Sequence, residues 1–395
     1  MQGLSWLLLP LAALGGWYAA IWMRTRQTIV PATTLSRDYL RGLNFLLNEK
    51  PDKAIDVFMR LLEQTTATPD MHLVLADQLL KLGIDFRKRG ETDRAIRLHQ
   101  ELIDSESTGE AQRAAALLEL GQDFQRAGML DRAEQLFIEL AGSKVYESRV
   151  LPLLLDIYQQ ERDWDKAIRI VGKTGRIGEM SADAVIAHYL CEMAETERAN
   201  GNVPAARELL QRALSQDRNC ARASILLGDL EREAGNHEAA LVCYRQVEDQ
   251  DIERLPQVLD SMVHCHTELG TSDRLIAYLR DIIPRYTGIS PVLVLTDLLA
   301  REQGETEAAL YLREQLGRHI SVRGLARLVG NGSFPDTPED RELVGLVKQL
   351  VDELLLDKPS YICTECGFSG KTLHWQCPAC RLWDTVRPAH GIEGD

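Results

Sequence analysis

Residues 221–250 read ARASILLGDLEREAGNHEAALVCYRQVEDQ, and this stretch decides the fold. Two segments with helical spacing of apolar residues flank a turn at Gly235. Gly228 on the first and Ala240 on the second are small, which lets the two helices pack closely. Tyr244 is the bulky residue expected to fill space against a neighbouring unit. One such hairpin cannot bury its apolar face alone, so it calls for others stacked beside it.

The same register runs outward in both directions. Ala54, Ala95, Ala133, Ala167, Ala206, Ala240, Leu275 and Ala309 recur at intervals of 41, 38, 34, 39, 34, 35 and 34 residues. Five residues earlier stand Gly90, Gly128, Gly201, Gly235, Gly270 and Gly304, and twelve earlier Gly42, Gly83, Gly121, Ala194 and Gly228. Four residues later come Phe58, Phe137, Leu210, Tyr244 and Leu279. The pattern resembles the tetratricopeptide repeat, a helix-turn-helix unit of about 34 residues. The resemblance covers residues 36–320. It implies an all-α, superhelical solenoid of eight or nine units with a concave face suited to holding proteins. The longer intervals imply extended loops or longer second helices.

Past Ile320 the register loosens. Asn331-Gly332-Ser333-Phe334-Pro335 reads as a loop, and Thr337-Pro338 as a helix start with threonine as cap. Leu343, Val344, Leu346, Val347, Leu350, Val351, Leu354 and Leu355 make a wide apolar face. Residues 321–358 are therefore expected to close the last repeat, with that face covered and Pro359 ending the helix.

Composition agrees with helices. Of 395 residues 45% are hydrophobic and only 6% aromatic, while Leu, Ala, Glu and Arg recur throughout. The net charge is −14, and no basic run is long enough to offset it, which argues against nucleic acid as the partner.

The N-terminus reads as a membrane anchor. Leu4–Met23, LSWLLLPLAALGGWYAAIWM, is free of charge and long enough to span a bilayer as a helix, with Trp6, Trp17, Tyr18 and Trp22 near its ends. Basic residues follow it (Arg24, Arg26, Arg37 and Arg41), the reverse of a cleaved signal peptide. Residues 1–23 are thus the expected transmembrane helix and 24–35 a linker, with the bulk of the chain on the cytoplasmic side. Small residues are common in membrane helices, so the stripe of Ala12, Gly16 and Ala20 marks at most a contact with another membrane protein.

The cysteines fall into two classes. Cys191, Cys220, Cys243 and Cys265 are scattered singly and read as small buried apolar residues. Near the end, Cys363-Thr-Glu-Cys366-Gly and Cys377-Pro-Ala-Cys380 are separated by ten residues. Two such pairs form tight turns that present their sulfurs inward to one metal ion, a tetrahedral four-thiolate site. Gly367 is expected to aim its amide at a sulfur, and Pro378 to stiffen the second turn. A module of this size, residues 359–390, is too small to build an adequate core, so the metal is expected to stabilise it. With all four thiolates used, no position stays open for substrate. The pairs resemble the knuckles of rubredoxins, which hold iron, and equally those of zinc ribbons, so both metals stay open. Trp375 and Trp383 bracket the second knuckle. Packing the module's own apolar side is their plainer role, and docking on the repeats the other.

Other signals dissolve. Gly370-Lys371-Thr372 mimics the tail of a phosphate-binding loop, but Glu365 stands where a glycine is required. His264-Cys265-His266 spaces its histidines two apart, on different sides of a helix, and reads as a structural cluster. No nucleophile elbow, zinc-protease motif or dinucleotide fingerprint is present, and the chain is not expected to be an enzyme.

The order of parts (uncharged anchor, tetratricopeptide-like units, terminal knuckle pair) resembles the lipopolysaccharide assembly protein B family of the Gram-negative inner membrane from end to end. That resemblance implies an adaptor that works with the membrane protease FtsH to degrade the deacetylase LpxC, and a membrane segment linked to a lipopolysaccharide sensor. It assigns the metal to Cys363, Cys366, Cys377 and Cys380, and no short motif marks its partner-binding residues. A homo-oligomer stays open. The module is expected to lock against the helical array. The alternative is an electron-transfer protein with a rubredoxin-type iron on a repeat platform. A ribbon binding nucleic acid through Lys371, Arg381 and Arg387 is disfavoured by the acidic chain.

Overall fold

The computed structural model describes residues 37–63, 69–177, 179–318, 320–330, 338–356 and 358–391. The expected anchor, residues 1–23, lies outside them, and no described helix is long and apolar enough to cross a membrane. The chain divides into two compact units, Met1–Ile157 and Tyr158–Asp395.

In the first unit α1 (Arg37–Leu47) pairs with α2 (Pro51–Leu62), α3 (Pro69–Lys88) with α4 (Thr92–Asp104), and α5 (Glu110–Arg126) with α6 (Leu130–Ala141). Helix α7 (Lys144–Glu161) crosses the division. The second unit continues with α8 (Trp164–Thr174), where the Lys166 amide donates to the capping Asp163 side chain. A two-residue β1–β2 pair (Arg176–Ile177 and Met180–Ser181) then leads into α9. Three hairpins follow: α9 (Ala182–Ala199) with α10 (Val203–Gln216), α11 (Ala221–Glu233) with α12 (His237–Gln250), and α13 (Pro256–Glu268) with α14 (Ser272–Ile282). The last hairpin joins α15 (Ser290–Gln303) to α16 (Glu305–Arg318). A continuous core threads the hairpins from α11 to α16, through Tyr244, Met262, Leu279, Leu295 and Ala308. The fold is mostly helical and tetratricopeptide-like, and it ends in a small module of three short strands.

The small residues of the register explain the packing inside each hairpin. A Cβ added to Gly42 would lie 2.2 Å from the Phe58 ring, at Gly121 2.3 Å from Phe137, and at Gly228 2.4 Å from Tyr244. Each glycine and its ring lie sixteen residues apart on the two helices of one hairpin. Tyr244 therefore fills space within its own hairpin first, and its hydroxyl donates to Asp229 at 2.8 Å. Ala194 and Leu210 keep the same spacing with a larger small residue and a smaller large one, both buried.

The turn position is equally regular. Gly90, Gly128, Gly201, Gly235, Gly270 and Gly304 all have φ between 63° and 95°. Glu49 and Arg162, five residues before Ala54 and Ala167, take the same left-handed conformation without glycine, at φ 55° and 57°. Glycine does not mark these two turns, because the backbone geometry is kept there and the residue type is not.

At one slot a ring is polar. His99 lies against Gly83, is fully buried, and pairs through Nδ1 with Asp123 Oδ2 at 2.5 Å. Asp123 in turn accepts from Arg87 at 2.7 Å. His264 and His266 point apart, as their spacing requires. His264 meets His237 edge-on, while buried His266 pairs with the Thr271 hydroxyl at 2.8 Å.

The chain closes with α17 (Val322–Gly330) and α18 (Pro338–Leu356), which pack on each other. The apolar face of α18 is only partly covered. Val351 is buried, but Leu346, Leu350 and Leu354 are each about half exposed. Helix α17, nine residues long, is too short to cover both sides of a nineteen-residue partner.

Candidate metal centre

The C-terminal module is a three-stranded antiparallel sheet, ordered β4–β3–β5, of β3 (Tyr361–Cys363), β4 (Ser369–Gly370) and β5 (Val386–Pro388). Cys363 sits at the end of β3, opposite Val386. Both Cys-x-x-Cys turns close alike. The Gly367 amide donates to Cys363 O at 3.0 Å, and the Arg381 amide to Cys377 O at 2.9 Å. Gly367 (φ 74°) and Arg381 (φ 61°) are both left-handed. The amide of Gly367 thus serves a carbonyl rather than a sulfur. The left-handed residue instead turns the chain so that the next amide, Phe368 in one knuckle and Leu382 in the other, reaches the sulfur of Cys366 or Cys380.

The four sulfurs converge. All lie within 4.8 Å of one another, with Cys363 to Cys380 at 3.8 Å and Cys366 to Cys377 at 3.6 Å. A disulfide would need about 2.0 Å. A tetrahedron with metal–sulfur bonds of about 2.3 Å has edges of about 3.8 Å, so the arrangement fits a metal ion. Cys363 and Cys377 are buried, Cys380 is half-buried and Cys366 is exposed. Burial opposes ionisation of Cys363, but the Thr385 hydroxyl and the amides of Cys366 and Glu365 outweigh it and draw the thiol down to about 6. Burial, reinforced by the three other sulfurs, pushes Cys380 up to about 12. Four sulfurs this close cannot all carry charge without a cation among them. Among the described residues this is the one cluster of three or more such side chains able to hold a metal.

The module is seated on the repeats of its own unit, and the two tryptophans do the seating. Trp383 is buried against Trp164 (ring centroids 6.2 Å) and Tyr189 (5.7 Å), and stacks on His188 (5.3 Å). Trp375 lies under the guanidinium of Arg254 at 4.8 Å and that of Arg222 at 5.6 Å. Docking on the helices, the less plain of the two roles, is the one the aromatic rings take. Their large flat faces find more apolar surface on α8 and α9 than a module of about thirty residues can offer.

Charge locks the seat. Arg254 is fully buried, donating to Val386 O at 2.8 Å and to Asp384 Oδ1 at 2.5 Å, with Asp251 at 3.5 Å. Arg387 pairs with Asp251, and Gln257 donates to the Tyr361 hydroxyl at 2.8 Å. Arg222, also buried, pairs with Glu192 and Glu195. Burial, with the positive charges of Arg222, Arg254 and Arg387, brings His188 down to about 3, so it is neutral at the interface. Burial raises the Tyr189 hydroxyl to about 12.

Trp164, His188, Tyr189, Arg222 and Arg254 were not singled out from sequence. Arg222 left a signal: it is the one cation in residues 221–227, ARASILL, a stretch of otherwise small or apolar residues, all of them buried. Arg254 stands in a short 3-10 turn, Ile252–Arg254, that lengthens the connection to α13 and brings the side chain under the module.

Comparison with known proteins covers both parts. A family model described as a rubredoxin metal binding domain matches residues 361–388, and a tetratricopeptide repeat model matches residues 191–252. Lipopolysaccharide assembly protein B of Escherichia coli is 35% identical over 396 residues, and that of Haemophilus influenzae 32% identical over 397; each match covers 100% of both chains. A solved tetratricopeptide repeat protein from Parabacteroides merdae aligns at 13% identity and TM-score 0.31, covering 70% of this chain and 98% of that one. At 32–35% identity over the full length of both chains, the chain belongs to the lipopolysaccharide assembly protein B family.

Proposed function

We propose that the chain is a membrane-anchored adaptor on the cytoplasmic face of a bacterial inner membrane that presents the LpxC deacetylase to the FtsH protease. The observation that carries the reading is full-length identity to relatives named for lipopolysaccharide assembly. The chain is not an enzyme; its tetratricopeptide repeats are a scaffold that binds proteins. Tethering such a scaffold raises the local concentration of a bound client near a membrane protease, so proximity and orientation supply the effect. Leu4–Met23 would be the tether and the segment that meets a lipopolysaccharide sensor.

Cys363, Cys366, Cys377 and Cys380 would together hold one ion, zinc or iron, with no position left open. Such an ion cross-links the two knuckles and stabilises the module. The residues around it hold that module on α8, α9, α11 and the Arg254 turn. The test is the half-life of LpxC in cells with this protein present and then depleted. A longer half-life on depletion supports the adaptor; an unchanged one removes it.

A further inference from the structure

Thr385 belongs to neither Cys-x-x-Cys pair, yet its hydroxyl lies 3.4 Å from Cys363 Sγ. As a thiol, Cys363 donates to that oxygen, and Thr385 in turn donates to Leu382 O at 3.4 Å. A thiolate has no proton to give. Once Cys363 is ionised as a ligand, the contact can run only from the threonine hydroxyl to the sulfur. A hydrogen bond of that kind draws electron density from the sulfur and favours its ionised, ligating form.

What fixes residue 385 comes from two directions. Within the module, its carbonyl accepts from both the amide and the hydroxyl of Thr364, at 2.9 and 3.2 Å. From the repeats, Arg254 grips the residues on either side of it, the Asp384 carboxylate at 2.5 Å and the Val386 carbonyl at 2.8 Å. Asp384 is itself in the left-handed region, at φ 53°, which its short polar side chain tolerates, and the Arg254 pair holds its carboxylate there. Val386 is paired with Cys363 across the sheet. A short path therefore joins a buried repeat cation to a metal-facing sulfur.

We propose that Thr385 is a tuning residue for the metal, that its hydroxyl donates to the Cys363 sulfur when the site is filled, and that the repeats set this bond through Arg254. The proposal rests on the reading of the four cysteines as ligands. The ordinary affinity of a two-knuckle site is thereby made a property of the docked module and not of residues 361–388 alone.

The test uses the full chain, stripped of metal and titrated with Co²⁺ against a competing chelator, with the sulfur-to-cobalt absorption bands as readout. Thr385→Val is expected to weaken Co²⁺ binding by about 10- to 100-fold and shift the bands, and Thr385→Ser to restore both. Arg254→Gln is expected to weaken binding in the same direction, and Thr385→Val added to it should cost less than it does alone. Helical circular dichroism verifies that each variant is folded. Bands absent from the wild-type chain would overturn the ligand reading and this inference with it. Bands present but unchanged in affinity and position in Thr385→Val would overturn the inference alone. Fully additive effects of the two changes would overturn the role of Arg254.

Discussion

At Gly228 a single methyl group decides whether a hairpin closes. The Tyr244 ring occupies the space a side chain would need and is fully buried, so it has nowhere to retreat. Gly228→Ala should gain helix propensity yet lose about 1–3 kcal/mol overall through overpacking, measured by denaturant unfolding. Adding Tyr244→Leu should return part of the loss, since Ala194 and Leu210 already fill that slot in another hairpin. The glycines and aromatics of the register were legible because their spacing repeats. His188 was not, because nothing in its local sequence tells of Trp383 arriving from almost two hundred residues away. Its burial has a pH signature. The docked His188 titrates near 3 against an ordinary 6.5, so the undocked state takes up the extra proton as pH falls. Docking stability from this group is therefore complete above about pH 7 and declines below about pH 6.5, by about 1.4 kcal/mol per unit. His188→Phe should flatten that slope in unfolding experiments between pH 7.5 and 5. The difference between the two proteins is the readout, because protonation of the cysteines is common to both.

Among elements, the helical hairpins and the two knuckles were readable, since each is dictated by local spacing: 3.6-residue periodicity for one, paired cysteines for the other. The face that joins them was not. It assembles from α8, α9, α11 and a 3-10 turn, whose side chains become neighbours only after the hairpins stack. The wide apolar pattern of α18 misled in the opposite sense, because helical periodicity reports which residues share a face and not whether a partner is long enough to cover it. Gly345 on that helix has open space around it, so Gly345→Ala should stabilise α18 by about 0.5–1 kcal/mol, detectable as a higher unfolding midpoint. Arg254→Met should act more strongly and elsewhere. It leaves Val386 O without its donor and Asp384 with only Arg387, and should weaken docking by about 2–3 kcal/mol. Tryptophan fluorescence should then move toward that of exposed indole, with helix content unchanged.

For the molecule as a whole, the metal module is a piece of the repeat unit that seats it. Its sulfurs, its strand β5 and the buried Arg254 are linked by hydrogen bonds, and Trp375 packs into the same core that threads α11 to α16. Binding that orders one part must therefore stabilise the other, by the reciprocity of linked equilibria. An adaptor built this way would present its client surface with a geometry that depends on the filled site. The most direct test is hydrogen exchange across the full chain before and after a chelator removes the metal. The account predicts faster exchange both in residues 361–388 and in the helices that seat them, α8, α9, α11 and the turn at 252–254. Faster exchange confined to residues 361–388, with those helices unchanged, would contradict it.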